Sequence, residues 1–220
     1  MQKQKELTIY LIRHGETYLN KYNRMQGWAD TPLTPAGIEQ VTNAADKVAN
    51  IKFDKYYSSD LLRAVSTAEI FKKENVNTNS ETHKTIQVPE LREACFGYFE
   101  GADGSATWSQ ICRPLGYPGI DEFLSEHTFL DARDIMSKAD PFKDAENSKA
   151  FTKRIRLGLK KLIDKSDDQD TICVISHGDA IRTIIQMLDP SIDVHLPIKN
   201  GSINIITYKE GKFFIDAYNK

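Results

Sequence analysis

The chain alternates short apolar runs with longer stretches whose apolar residues recur at helical spacing. The run LTIYLI at 7–12 is short, apolar and rich in β-forming side chains, which predicts a buried strand. DTPLTPAG then predicts a turn and a helix start, with Thr34 placed to cap and Pro35 at the first helical position. Ile38, Val41, Ala45 and Val48 follow on one helical face. FDKYYSS at 53–59 predicts a second strand. SDLLRAVSTAEIFKK predicts a second helix, capped by Ser59 or Asp60, with Leu61, Val65, Ala68 and Phe71 on its apolar side. KTIQV at 84–88 reads as a third strand.

Between Gly101 and Ala145 the periodicity loosens among glycines, prolines and scattered aromatics, which predicts an insertion with short helices over 101–145. Regular patterning returns with Phe151, Ile155, Leu159 and Leu162, a helix at about 147–164. The buried run TICVIS at 171–176 follows, then a helix over 179–188 on Ile181, Ile184, Ile185 and Leu188. SINIITY-KEG-KFFIDAY at 202–218 predicts a hairpin turning at Lys209–Gly211. Strands alternating with helices predict an α/β sandwich on a largely parallel sheet. The 220 residues suit one domain, 1–220, with the insertion inside it.

Composition narrows the function classes. A net charge of -2 gives no general attraction to nucleic acid or an anionic membrane, so any phosphate binding needs a local cluster of cations. Cys95, Cys112 and Cys173 are odd in number and lack a CxxC spacing, which argues for reduced thiols and against a disulfide framework or zinc site. The start MQKQKELT lacks the apolar region of a signal peptide, and no apolar stretch is long enough to span a bilayer. The expected location is the cytoplasm.

In a parallel α/β sheet, ligands bind beyond the carboxyl ends of the strands. Strand one ends in Arg13 and His14. Strand two ends in Ser58 and Ser59, with Arg63 one turn into the next helix. The third strand runs out into PELREACFGYFEG, which carries Glu93, and the strand at 171–176 ends in His177 and Gly178. Taken singly, each has an ordinary structural role: a hydrogen-bonded strand-end histidine, a surface arginine, a solvated carboxylate, a turn glycine. Together they place two histidines, two arginines and a glutamate on one sheet edge.

LIRHGET resembles the signature of the histidine phosphatase superfamily, the phosphoglycerate-mutase-like proteins. The likeness continues in order through Asn20, QGWADTPLTPAG, SSDLLRAVSTAE, LREACFGYFEG, SHGD and NGSINIITY, and so covers nearly the whole chain. The resemblance implies a three-layer α/β/α sandwich on a mixed, mostly parallel six-stranded sheet. It also implies that His14 takes the phosphoryl group, that Arg13, Arg63 and His177 grip the phosphate with Asn20 and the Gly178 backbone assisting, and that Glu93 donates the proton. Gly15, Thr17, Gln26, Gly27 and Asp179 fall beside these positions.

The residue chemistry suits such a reaction. Phosphoryl transfer needs positioning and charge neutralisation, and guanidiniums supply fork-like donors that stay charged. His177, if protonated, would add a third cation. His14 must be neutral at its attacking nitrogen, so a nearby backbone carbonyl is expected to hold the other one. Gly15 is expected to leave room for the phosphate. Glu93 can serve as acid if the phosphate, Phe96, Tyr98 and Phe99 raise its pKa. No metal or other cofactor is expected, because the arginines carry the charge.

The superfamily holds both phosphatases and mutases. Cofactor-dependent phosphoglycerate mutases carry a further basic block, roughly Trp-Arg-Arg-Ser, that this chain lacks. Its insertion offers only Arg113, Arg133, Lys138 and Lys143 among aromatics and acids. A mainly aromatic lid favours a substrate with an apolar or uncharged body, so hydrolysis of a small phosphorylated metabolite by a monomer or homodimer is the first expectation. A mutase, a sugar-bisphosphate phosphatase or an inactive phosphate-binding protein are the alternatives. Two departures stand out. SHGD replaces the common His-Gly-Gly, so Asp179 either repels an anion or orients His177. AENS replaces the common Gly-Glu-Ser before the helix at 147–164.

Overall fold

The computed structural model describes residues 5–79 and 83–220; the first four residues of the N-terminal stretch lie outside them. Strand β1 (Leu7–Arg13) leads through the short helix α1 (Tyr18–Lys21) to α2 (Pro35–Asp46), then β2 (Lys55–Ser58), α3 (Leu62–Glu74) and β3 (Thr85–Gln87). Helices α4 (Gly104–Cys112), α5 (Ile120–Leu124) and α6 (Phe129–Ala139) occupy the loosely patterned region. They are followed by α7 (Ser148–Lys165), β4 (Thr171–Ser176), α8 (Gly178–Leu188), β5 (Ile203–Lys209) and β6 (Lys212–Ala217).

The strands form one six-stranded sheet in the order β3-β2-β4-β1-β5-β6. The first four run parallel; β5 is antiparallel to β1, and β6 to β5. Alternation along β1 fixes the layers. Leu7, Ile9 and Leu11 enter a core with Phe151, Ile155 and Leu159 of α7 and Ile181, Ile184 and Ile185 of α8. Ile12 faces the opposite side, packing in a core with Val41 and Ala45 of α2 and Ala64, Ala68 and Phe71 of α3. The result is a three-layer α/β/α sandwich.

Three local expectations shift. Ile38 is exposed, and α2 buries Gly37, Val41, Ala44 and Ala45 instead, because the helix phase is set by the backbone of Gly37 lying against Glu16. Ser59 and Asp60 do not cap α3, whose cap position is Leu61 without a side-chain bond. Their oxygens have charged or ring partners: Ser59 bonds His177, and Asp60 takes a bidentate bond from Arg92. The hairpin turn is two residues, Glu210 and Gly211, both at positive φ (53° and 77°), which matches the twist of the flanking strands.

Candidate active site

The register places the site. Arg13 of β1 pairs with Ser176 of β4, so His14 and His177 leave adjacent strands side by side, with ring centroids 5.1 Å apart. Arg63, fully buried in the first turn of α3, reaches between them. Its Nε lies 3.2 Å from His14 Nε2 and 3.2 Å from His177 Nδ1.

This one donor fixes both tautomers, since a guanidinium has no acceptor to offer. His14 Nε2 and His177 Nδ1 must each present a lone pair. The His14 proton therefore sits on Nδ1 and is donated to the Gly15 carbonyl at 2.7 Å. The His177 proton sits on Nε2 and is donated to Ser59 Oγ at 2.6 Å. Burial, then the charges of Arg63 and Arg13, hold His14 well below the ordinary imidazole pKa. Burial, Arg63 and His14 do the same to His177. In this state His177 is neutral and contributes no third cation.

The fork of Arg63 is held by the loop after Gln26. Nη1 donates to the Ala29 carbonyl and to Asp30, both at 3.0 Å, and Nη2 to the Gly27 carbonyl at 2.7 Å. With Nε shared between the histidines, Arg63 contributes chiefly its charge. Arg13 is differently placed: Nη1 bonds the Ile198 carbonyl, while its buried Nε has no partner. A Cβ on Gly178 would lie 3.4 Å from that Nε and 3.7 Å from Glu93 Oε2, so this glycine keeps open the gap between guanidinium and carboxylate.

Glu93, 6% exposed, sits on the N-terminus of α8. It accepts backbone N–H bonds from Asp179 at 2.9 Å and from Ala94 and Ala180 at 3.0 Å. Burial and the Asp179 carboxylate outweigh these donors and push its pKa up to about 7. Phe96 lines the cavity with it, but Tyr98 is exposed and packs on Phe99 and Phe142, so it is not the source of the shift.

Asp179 does not touch His177. Its carboxylate pairs with Arg182 of the same helix at 3.2 Å and with Arg133 of α6 at 3.4 Å. Gly15 is needed for packing, because a Cβ there would meet the Gly37 carbonyl at 2.5 Å and Val41 Cγ2 at 2.6 Å. Asn20 lines the cavity, and its Oδ1 accepts from the Thr17 backbone in a capping box. Thr17, fully buried, donates to Gln26 Oε1 at 2.5 Å, and Gln26 also lines the cavity. Gly27 presents its carbonyl to Arg63.

Several supporting residues escaped the sequence reading. The Glu100 carboxylate accepts four backbone N–H bonds, from Gly27, Trp28, Ala29 and Phe96, and so anchors the loop whose carbonyls hold Arg63. Arg154 of α7 donates to the carbonyls of Glu90, Arg92 and Glu93 and pairs with Glu146, which gives the AENS segment a structural part. Asn200 donates to the His14 carbonyl at 2.9 Å. None has a local sequence signal, since each acts across the fold.

Above this floor lies a cavity of about 260 Å³ that takes in Arg13, Asn20, Glu93, Gly178 and Asp179, with Trp108, Phe129 and Arg133 from the 101–145 region. The aromatics around the cavity do not present a bare apolar wall. Phe96, Trp108 and Phe129 surround the Arg133 guanidinium at 4.9, 5.2 and 5.5 Å, a cation–π cage. Among the described residues, no group of three or more His, Cys, Asp or Glu is arranged to hold a metal ion, and no helix is long and apolar enough to cross a membrane.

A six-stranded α/β/α sandwich with paired strand-end histidines around a buried arginine has the layout of the phosphoglycerate-mutase-like phosphatases and mutases. The chain belongs to the histidine phosphatase superfamily (branch 1), which it matches over residues 9–112 and 120–220. It is 28% identical over 216 residues to a broad-specificity phosphatase of Saccharomyces cerevisiae, covering 95% of this chain and 83% of that one. It is also 28% identical to a 2,3-bisphosphoglycerate-dependent phosphoglycerate mutase of Methanococcus vannielii, covering 82% of this chain and 80% of the relative. The crystal structure of a phosphoglycerate mutase from Bacillus anthracis superposes with a TM-score of 0.92 at 33% identity, over 99% of this chain and 94% of that one.

Proposed function

We propose that the protein is a metal-independent phosphatase that hydrolyses a small phosphomonoester through a phosphohistidine on His14. The observation that carries this reading is the His14 tautomer. Its Nδ1–H is tied to the Gly15 carbonyl, and its Nε2 keeps a lone pair that meets only the shared N–H of Arg63 at 3.2 Å, so the ring is a nucleophile without any prior proton loss.

Nε2 attacks phosphorus, the N–P bond forms and the ester P–O bond breaks. Glu93, with a pKa of about 7, gives its proton to the departing alkoxide. The ionised Glu93 then takes a proton from water, whose oxygen attacks phosphorus. The N–P bond breaks, inorganic phosphate leaves, and both residues return to their starting forms. Arg13 and Arg63 supply the charge that neutralises the phosphoryl oxygens, Arg13 through its free Nε. Burial, Arg63 and His14 hold His177 neutral, so the two arginines carry the charge. The cavity is at the small end for ligand sites, which supports a small substrate. The 101–145 region serves as the lid that selects its body. Three unpaired cysteines support a reducing, cytoplasmic setting.

Likeness to named mutases supports a second reading, in which the phosphohistidine returns its group to another substrate hydroxyl. Turnover of p-nitrophenyl phosphate and a broad phosphomonoester panel, with and without EDTA, tests the first. Wild type is expected to release inorganic phosphate in both conditions, and His14→Ala to lose turnover by at least ~10³-fold. Absence of release from every ester defeats the phosphatase reading. Conversion of 3-phosphoglycerate to its 2-isomer faster than to free phosphate establishes the mutase.

A further inference from the structure

Arg133 is a buried cation of the cavity that the proposed chemistry leaves unused; Arg24, which also lines it, is exposed. Arg133 stands on α6, is 3% exposed and lines the cavity. Its Nε and Nη1 have no hydrogen-bond partner. The nearest carboxylate, Asp179, approaches Nη1 only to 3.4 Å, an ion pair without a hydrogen bond. Leaving buried guanidinium donors unbonded is costly, and a packed core normally avoids it.

Arg182 shows the contrast. It faces the same cavity, yet every nitrogen has a partner: Val194 O at 2.6 Å, His195 O at 2.7 Å and Asp179 at 3.2 Å, with Phe129 stacked on its face at 4.1 Å. Arg182 is structural. Arg133 is held in place by rings, which fix a guanidinium's position while leaving its in-plane N–H edge free. A fixed fork with two buried, unpartnered donors, on a side chain that lines a small cavity, is an arrangement suited to reading an oxyanion.

We infer that Arg133 binds a second anionic group, a carboxylate or phosphate, on the body of the substrate, with the Asp179 carboxylate as its occupant when the site is empty. The inference rests on the phosphomonoesterase reading for the first phosphate and specifies the substrate class: a small phosphomonoester that carries a further negative charge. It replaces the expectation of an uncharged body. Arg13 and Arg133, which line the same cavity, then hold one anion each.

Paired substrates test this. 3-Phosphoglycerate and glycerol 3-phosphate differ by a carboxylate in place of a hydroxymethyl group; propane-1,3-diol bisphosphate and its monophosphate differ by a second phosphate. The readout is the ratio of kcat/KM within each pair, and of Kd by calorimetry, so that it survives a failure of turnover. Wild type is expected to favour the more anionic member roughly ten- to hundredfold in at least one pair, the worth of a charge-assisted hydrogen bond. The pair that responds tells carboxylate from phosphate. Arg133→Met and Arg133→Gln should bring the ratio near one, chiefly through KM. Asp179→Asn, which removes the competing carboxylate, should raise it.

A wild-type ratio near one in both pairs overturns the inference, as does a preference that persists in the Arg133 variants. Should neither of those fold, a ratio unchanged or lowered in Asp179→Asn overturns it. Wild type that binds these esters with the expected preference but releases no phosphate defeats the hydrolytic reading alone.

Discussion

Glu93 shows how one carboxyl is set between two tendencies. Two backbone N–H groups at the N-terminus of α8 and that of Ala94 favour its charged form, while burial and Asp179 favour its neutral form and win. As the proton donor, Glu93 must be protonated when substrate binds, so kcat/KM should fall as pH rises through about 7. His14, whose pKa lies well below the imidazole range, imposes no opposing loss down to mildly acidic pH. Asp179→Asn removes a charge that raises the Glu93 pKa, so the falling limb should move to lower pH. A pH–rate profile decides it; a limb that stays put or moves upward refutes the assignment of that limb to Glu93. The sequence made Glu93 visible by its place after a strand. It could not show the Asp179 backbone and carboxylate acting on it in opposite senses, because that depends on how α8 meets a loop 86 residues away.

At the scale of elements, two glycines set where His14 stands. The loop at Gly15 and Glu16 lies directly on the first turn of α2, and a Cβ on Gly37 would come within 2.1 Å of the Glu16 carbonyl. Gly15→Ala should therefore act as overpacking against fixed backbone and destabilise by about 1–3 kcal/mol in a urea melt; no loss of stability would mean that α2 can yield. Glu100 acts similarly at a distance. Glu100→Ala strands four backbone donors and loosens the carbonyls that hold Arg63. A stability loss of at least ~2 kcal/mol is expected, with weaker phosphate binding. Unchanged phosphate affinity would show that Arg63 does not need the loop. The strands and long helices were legible because periodicity is local, and Thr34 with Pro35 announced α2 correctly. The α3 cap failed for the opposite reason: Ser59 and Asp60 have the right chemistry for capping, but His177 and Arg92 claim it from elsewhere in the fold.

For the whole molecule, the parallel order β3-β2-β4-β1 brings the carboxyl ends of strands far apart in sequence to one edge. That convergence could be inferred from alternating strands and helices. The 101–145 region could not, because its helices follow no clean period, and its sequence names Arg133 without showing that aromatic rings enclose it. A net charge of -2 coexists with a local cluster of arginines, Arg13, Arg63, Arg133 and Arg182, so inorganic phosphate should bind the folded chain selectively. At a hundred times its Kd it should add about 2.7 kcal/mol. For a chain of this size that raises Tm by roughly 5–10 °C. A melting curve that ignores phosphate while ignoring sulfate equally would mean that the anion site does not form.

One N–H of Arg63 is shared between two rings at 3.2 Å each, so a single donor ties the tautomers of His14 and His177 together. Removing it unties both at once. In Arg63→Met each ring should sample both tautomers, seen as broadened or doubled imidazole nitrogen signals by NMR where wild type gives one sharp set. Unchanged signals would mean that the Gly15 carbonyl and Ser59 Oγ hold the rings without the arginine.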